Sequence, residues 1–434
     1  MVCRDTGRLF RVTVLAVLVA LPASAADAPG NVIFVHADGA PTSAWMATRW
    51  IVAGPDGRLN WDRMPHVAVY DGRMSDDLTA SSHGGATVHS WGVRSSRNTY
   101  GLTGPDARSL SGFKGSIMQE ALAAGRPAGI VNSGSAVEPG TAVFATSVAS
   151  RSDNEGICAG LIASGVPVIL GGGEEWFLPA GAKGRHGSGK RTDGRNLVQE
   201  ARERGYTVIF TREEMAALPA ATPRVLGLFA RAHTFNDTNE EALREAGLPI
   251  FDPSAPTLAQ MTAKAIEILS RQGEGFILVV EEEGSDNFGN NNNAAGVIES
   301  LRRADEAIGL ALEFSARHPR TLVITASDSS AGGFNATGLP ANRAANEPLP
   351  ANAPNGAPID GRGGTATPAF VSEPDRAGQR YLFQVSWALV DDTSGGVVAR
   401  AEGHRAELIS GNVTNVDIYR AMHAALFGGA LAAE

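Results

Sequence analysis

The stretch Thr79-Ala-Ser-Ser-His-Gly-Gly-Ala-Thr-Val-His-Ser-Trp-Gly92 sets Ser81, Ser82 and His83 before a glycine pair and a segment able to turn into a helix. Small residues let the chain turn sharply and let a bound group come close to the backbone. A serine just ahead of a helix start lies beside free N–H groups and the positive end of the helix dipole, which suits an anion. The same residues are ordinary cap and turn formers, so a plain surface loop with a helix cap is the competing reading. Acidic residues supply a second clue. Asp38 closes the apolar run Asn31-Val-Ile-Phe-Val-His-Ala, Glu281-Glu-Glu-Gly-Ser-Asp286 follows residues 276–280, and Asp328 follows residues 320–325. Carboxylates brought to one edge of a sheet repel, so they need cations between them, and oxygen donors suit hard ions.

Such residues need a scaffold that gathers them. Residues 31–38 read as a buried strand ending in an acid and Gly39. Strands are expected again at 128–132, 166–170 (running into Gly171-Gly-Gly173), 207–210, 224–230, 276–280 and 320–325. Helices are expected at 114–124, 154–164, 196–204, 258–271 and 293–317. This alternation predicts an α/β fold, a mainly parallel sheet with helices on both faces. Open sheets of that kind bind ligands beyond the carboxyl ends of their strands, where the acids fall. Two regions break the rhythm. Residues 181–195 are rich in Gly, Lys and Arg and read as a surface excursion. Residues 335–365, crowded with Pro, Asn, Ala and Gly, read as an inserted loop or small lid near the site. No internal repeat or linker divides the rest, so residues 26–434 are expected to form one domain.

With 434 residues and 43% hydrophobic composition the chain can bury a large core, and its 51 glycines imply many tight turns. A formal charge of −9 without a long basic run excludes a nucleic-acid-binding surface. Arg4, Arg8 and Arg11, the apolar run 12–21 and Ala23-Ser-Ala25 read as a signal peptide over residues 1–25, cleaved before Ala26. The apolar run is too short to span a bilayer. The mature chain is therefore expected in the periplasm or secreted, without a membrane anchor. Cys3 would leave with the signal, and Cys158 alone cannot form an intramolecular disulfide.

Taken in order, these segments resemble the alkaline phosphatase family. The resemblance runs from Asn31 to the C-terminal helix. It rests on Asn31-Val-Ile-Phe with Asp38-Gly39, the Ser82 loop, Ala142-Val-Phe with Ser150-Arg151 and Asn154-Glu155, and Val168-Ile-Leu-Gly-Gly-Gly173. Val280-Glu281 through Asp286 to Ala294-Ala-Gly296, Asp305-Glu306, Thr325-Ala-Ser-Asp328 with Gly332-Gly-Phe334, and Asn415-Val-Asp-Ile-Tyr-Arg420 complete it. The resemblance implies that Ser82 takes the phosphoryl group, with Ser81 a close competitor because the family's acid before the nucleophile is absent. It implies that Arg151 grips phosphate, that Asp38, Asp286 and Asp328 are ligands of two catalytic metals, and that Glu281 holds a third ion, usually magnesium. Asp38 would bridge two of these positions. A phosphoester substrate and a homodimer follow from the same resemblance.

The departures are as informative. The family's three imidazole ligands fall on Ser329, Asn290 and Thr393, and its third-ion hydroxyl falls on Gly140, with Glu138 nearby as a substitute. Zinc at a catalytic site normally takes nitrogen or sulfur with its carboxylates. Losing imidazoles therefore favours magnesium or calcium on Asp38, Glu281, Asp286, Asn290 and Asp328, with zinc still open. New histidines stand near the loop: His83 beside Ser82, His89 two turns into the next helix, and His36 two residues before Asp38. Each could move a proton, as an acid or base, or ligate a metal from a new direction. Three functions fit: an exported phosphomonoester hydrolase working through a phosphoserine, a non-catalytic phosphate- or cation-binding relative, or a hydrolase of another ester run by Ser82 with His83 or His89 and without metals.

Overall fold

The computed structural model describes residues 29–273 and 275–431. The expected secretion signal, with Cys3, lies outside the described residues. The sheet is built from β1 (Asn31–Ala37), β2 (His66–Asp71), β3 (Ala128–Ser135), β4 (Val168–Gly172), β5 (Thr207–Ile209), β6 (Val225–Leu228), β7 (Ile277–Glu282) and β8 (Thr321–Ala326), with two further strands, Val398–Gly403 and Gly411–Thr414. These ten lie in the order Gly411–Thr414, β2, Val398–Gly403, β8, β1, β7, β3, β4, β6, β5. Every strand but Val398–Gly403 runs the same way. This is the expected α/β architecture.

β7 and β8 are buried along their whole length, and β1 from its second residue on. Near-continuous apolar runs of this kind belong to strands covered on both faces. Side chains alternate between faces. Val32 and Phe34 of β1, Ile277 and Val279 of β7, and Leu322 and Ile324 of β8 enter one core cluster. Ile33 and Val35, Leu278 and Val280, and Val323 enter the other. Burying a side chain of this size contributes about 1.5–3 kcal/mol, so these layers fix the register of the strand ends.

Helices cover both faces. Leu258–Leu269 starts at a capping box of Thr257 with Gln260, and Ala294–Arg317 starts where Asn293 Oδ1 accepts the Gly296 N–H at 2.6 Å. Both pack into the second cluster. Asn154–Ser164 is capped by Asp153 and ends on Gly165 at φ 76°, a left-handed position that glycine adopts without strain. The excursion 181–195 is largely exposed, but Arg191 is buried within it and donates to the carbonyls of Glu155 and Trp176.

Residues 335–365 differ from the irregular loop read from their composition. Asn335–Gly338, Ile359–Gly361 and Gly364–Thr365 join Phe370–Val371 and Leu382–Ser386 in a five-stranded sheet. Phe370, Phe383, Val385 and Trp387 enter the second core cluster, and Trp50 of the helix Thr42–Val52 packs edge-on to Phe383. This small sheet is thus tied to the body through the second core cluster, while Leu349, Ile359 and Ala369 form a small cluster of their own.

Candidate active site

The strand register brings the acids together. At one level across the sheet Asn132 pairs with Glu281, and His36 with both Glu281 and Ala326. Two residues on from His36 the same face carries Asp38, and beyond β8 it carries Asp328. All four of His36, Asp38, Glu281 and Asp328 are fully or nearly fully buried. Asp286 follows on the short helix Gly284–Asn290. Among the described residues, both oxygens of Asp38 and of Asp328, Glu281 Oε1 and Glu283 Oε2 are buried without a hydrogen-bond partner outside the acid cluster. Burial, first of all, pushes the carboxyls of Asp38, Glu281, Glu283, Asp286 and Asp328 up, and their mutual repulsion adds to it for most of them. Orphaned oxygens in such number are costly unless something positive stands among them. One donor atom from each of Asp38, Glu283 and Asp286 lies within 4.8 Å of the others, and so does one from each of His36, Asp38 and Asp328. The donor set fits divalent cations.

Close backbone approach is built in. A Cβ on Gly39 would lie 2.7 Å from Asp286 Oδ1, and one on Gly85 would lie 2.5 Å from the Cβ of Asp328. The second contact seats the helix Ser82–Trp91 directly on the acid cluster. Its first turn divides the two serines. Ser81 is the cap: its Oγ accepts the Gly84 N–H at 3.2 Å and donates to the Arg97 carbonyl at 2.6 Å. Ser82 is the first helical residue and is buried, and among the described residues its hydroxyl carries no such commitment.

Arg151 lies on the open side. Its Nη2 bonds Glu138 Oε2 at 3.0 Å, and its Nη1 lies 3.5 Å from His83 Nδ1. Burial pulls its guanidinium down, but Glu138, Glu283, Asp286 and Asp38 more than offset that, so the net shift is upward and the charge is permanent. His83 is pushed down to about 4, by burial first and then by Arg151 and Arg97. It is therefore neutral at neutral pH. Next to these groups a cavity of about 660 Å³ is lined by His83, Ser135, Arg151, Trp176 and His233 among others. It offers an aromatic and polar wall beside Arg151.

Some residues expected at the site have other engagements. Thr393 Oγ1 donates to the Ser330 carbonyl at 3.0 Å, because residues 392–393 pair with 330–331 as a two-stranded ladder. Its neighbour Asp392 faces Asn290, its Oδ1 accepting from Asn290 Nδ2 at 3.3 Å. Asn290 also donates to Asp286 Oδ1 at 3.1 Å, so it braces that carboxylate with its amide nitrogen. Ser329 Oγ is buried without a partner. Glu281 Oε2 accepts from Thr141 Oγ1 at 3.2 Å and from Asn132 Nδ2. The hydroxyl beside Glu281 thus comes from Thr141, one residue past the expected Gly140, while Glu138 turns to Arg151. His89 is buried behind the site with Nε2 2.7 Å from the Tyr70 hydroxyl. Cys158 is buried and its thiol is pushed up by that burial. Glu283 and Asp392 were not singled out from sequence. Glu283 stood in plain view within Glu281-Glu-Glu, two residues from Glu281 and so on its face.

Residues 30–427 match the family model for alkaline phosphatase. The chain is 29% identical over 350 residues to alkaline phosphatase of Escherichia coli (strain K12), covering 71% of this chain and 72% of that protein. It is 28% identical over 409 residues to alkaline phosphatase of Gadus morhua, covering 82% of each. Its fold is similar to that of Thermus thermophilus alkaline phosphatase (TM-score 0.70, 22% identity, 92% of this chain and 93% of that one). It is similar also to alkaline phosphatase from the Antarctic bacterium TAB5 (TM-score 0.68, 20% identity, 92% and 98%).

Proposed function

The chain belongs to the alkaline phosphatase family, and on that premise we propose that it is an exported phosphomonoesterase that carries the phosphoryl group on Ser82. The observation that carries this reading is the division of labour between the serines. Ser81 spends its hydroxyl on the helix cap, and Ser82, uncommitted among the described residues, presents its own at a helix N-terminus above buried carboxylates. Export rests on the N-terminal pattern of basic, apolar and small residues.

In this reading the Arg151 fork exchanges Glu138 for two oxygens of the phosphoryl group and holds it in line with Ser82 Oγ. The N–H groups at the start of Ser82–Trp91 face the same anion. Ser82 Oγ attacks phosphorus, the alcohol leaves, and water then cleaves the phosphoserine. Asp38, Glu281, Asp286 and Asp328 would hold the divalent ions, and wherever the donors are all oxygen they favour magnesium or calcium. Those ions, when bound, offset charge on the phosphoryl oxygens and make the serine and water oxygens more acidic. The cavity by Trp176 and His233 receives the organic part of the ester.

A second reading, a phosphate- or cation-binding relative without turnover, is favoured by the replacement of imidazoles by Asn290, Ser329 and Thr393. Hydrolysis of an aryl phosphate by the metal-stripped mature chain, after separate return of magnesium, calcium or zinc, separates the two. Turnover that returns with an ion and disappears in Ser82→Ala supports the hydrolase. Phosphate binding without turnover under every ion leaves the binding protein.

A further inference from the structure

We propose that His36 supplies, through Nε2, an imidazole ligand to an ion held with Asp38 and Asp328, so that a site without the family's three histidines regains one from within strand β1. The inference rests on reading the carboxyl edge as a metal centre, and it goes beyond that reading in naming a nitrogen donor and the class of ion it selects.

His36 Nδ1 lies 3.0 Å from the carbonyl oxygen of Ala326. A carbonyl has no proton to give, so Nδ1 carries the hydrogen and Nε2 the lone pair. Metal-bound imidazoles are oriented in this way, their second N–H held by a carbonyl or carboxylate. The lone pair points at Asp38 Oδ1, 3.5 Å away, and Asp328 Oδ1, 3.9 Å away. Both distances are too long for a hydrogen bond. They are close to the roughly 3.3 Å that separates two ligands on a tetrahedral ion with bonds of about 2.0 Å. Among the described residues, His36 Nε2 and all four carboxylate oxygens of Asp38 and Asp328 are buried with no hydrogen-bond partner outside this group. A bare lone pair facing two carboxylates is repulsive, and a cation in their midst turns every one of these contacts favourable.

The surroundings are shaped for the imidazole. Its ring packs against Phe34 and edge-on to His89, which the Tyr70 hydroxyl anchors. On the open side only glycine leaves room: a Cβ on Gly140 would sit 2.7 Å from His36 Cδ2 and 2.0 Å from Glu281 Oε1. The absence of a side chain at Gly140 and the presence of the imidazole at His36 are thus one steric change. The neighbouring group of Asp38, Glu283 and Asp286 is all oxygen. One nitrogen beside it makes the His36 position the one for a borderline ion such as zinc or cobalt, and the other the one for a hard ion.

The test is a cobalt titration of the metal-stripped mature chain, followed by its visible absorption, with His36→Ala, His36→Gln and wild type compared. X-ray absorption of the zinc-loaded wild type reads imidazole scattering directly and needs no variant to fold. The expected result is imidazole scattering, cobalt affinity about 10–100-fold weaker in both variants with an altered spectrum, and calcium or magnesium affinity that changes little. Cobalt binding with unchanged affinity and spectrum in the variants, or zinc without imidazole scattering, overturns the assignment while leaving the metal centre standing. No binding of cobalt, zinc, magnesium or calcium by the wild type overturns the metal centre and this inference together.

Discussion

Glu282→Gln should stabilise the metal-free protein, and the gain should depend on pH. Glu282 ends β7 but points to the face opposite Glu281. Its Oε1 accepts from Ser133 Oγ at 2.7 Å and from the Gly284 N–H at 3.1 Å, while Oε2 is buried without a partner. Burial lifts its carboxyl from 4.5 to about 7, against the pull of those two donors and of Arg303. Each tenfold change in proton affinity is worth about 1.4 kcal/mol, so ionising this group costs about 3 kcal/mol more in the folded chain than in the unfolded one. Below pH 4.5 the carboxyl is protonated in both states and nothing is lost. Between 4.5 and 7 the unfolded chain ionises first, and folding stability falls. Above 7 the loss is complete. A glutamine keeps both accepted hydrogen bonds through its amide oxygen and never ionises. Urea unfolding of wild type and variant at pH 5 and pH 8 should therefore give a variant advantage that grows by about 2–3 kcal/mol between the two. An advantage that stays flat with pH, within about 0.5 kcal/mol, would refute the claim that burial of an ionisable group at this position stresses the sheet.

Further outcomes follow from the same geometry. Ser81→Ala removes the cap of Ser82–Trp91 and should lower stability by about 1 kcal/mol in a melt, while phosphoryl transfer to Ser82 persists. Arg151→Lys keeps the charge but loses the fork, so phosphate affinity by calorimetry should fall about 10–100-fold, the worth of one charge-assisted hydrogen bond. Because His83 titrates at about 4, His83→Gln should leave the shape of the pH–rate profile between pH 6 and 8 unchanged. Gly140→Ala forces a methyl against Glu281, whose other oxygen Asn132 and Thr141 hold in place. It should cost about 1–3 kcal/mol in unfolding experiments.

How much of this could be read in advance depended on burial. β1, β7 and β8 are covered on both faces and announce themselves as unbroken apolar runs, and the helix Asn154–Ser164 was legible to the residue because Asp153 and Gly165 mark its ends. β2 and the strands Val398–Gly403 and Gly411–Thr414 form the less covered end of the sheet. β2 alternates buried with exposed residues, but Val67, Ala68 and Val69 are apolar on both faces, so its sequence shows neither a polar–apolar period nor a long apolar run. Within the insert the strands are too short for a period to emerge. Asn335–Gly338 and Ile359–Gly361 acquire their meaning only from pairing with Leu382–Ser386, which lies beyond the insert.

At the site, the acids that end long strands were legible, and those chosen by parity or by a partner strand were not. Side chains two apart in a strand share a face. His36 therefore had to join Asp38, and Glu281 had to part from Glu282, as soon as 31–37 and 277–282 were strands. The same rule carried one step past β7 sends Glu283 toward Asp38 and Asp286, although Glu283 already has helical backbone angles. Asp391 and Asp392 lacked any such guide. Their choice is made by the ladder between 392–393 and 330–331, which ties the Thr393 hydroxyl to a main-chain carbonyl and leaves Asp392 facing Asn290. A residue-by-residue carry-over from the family lands on Thr393 because it preserves sequence position. In the fold the Thr393 hydroxyl turns to the Ser330 carbonyl, and the carboxylate next door is the one that faces Asn290.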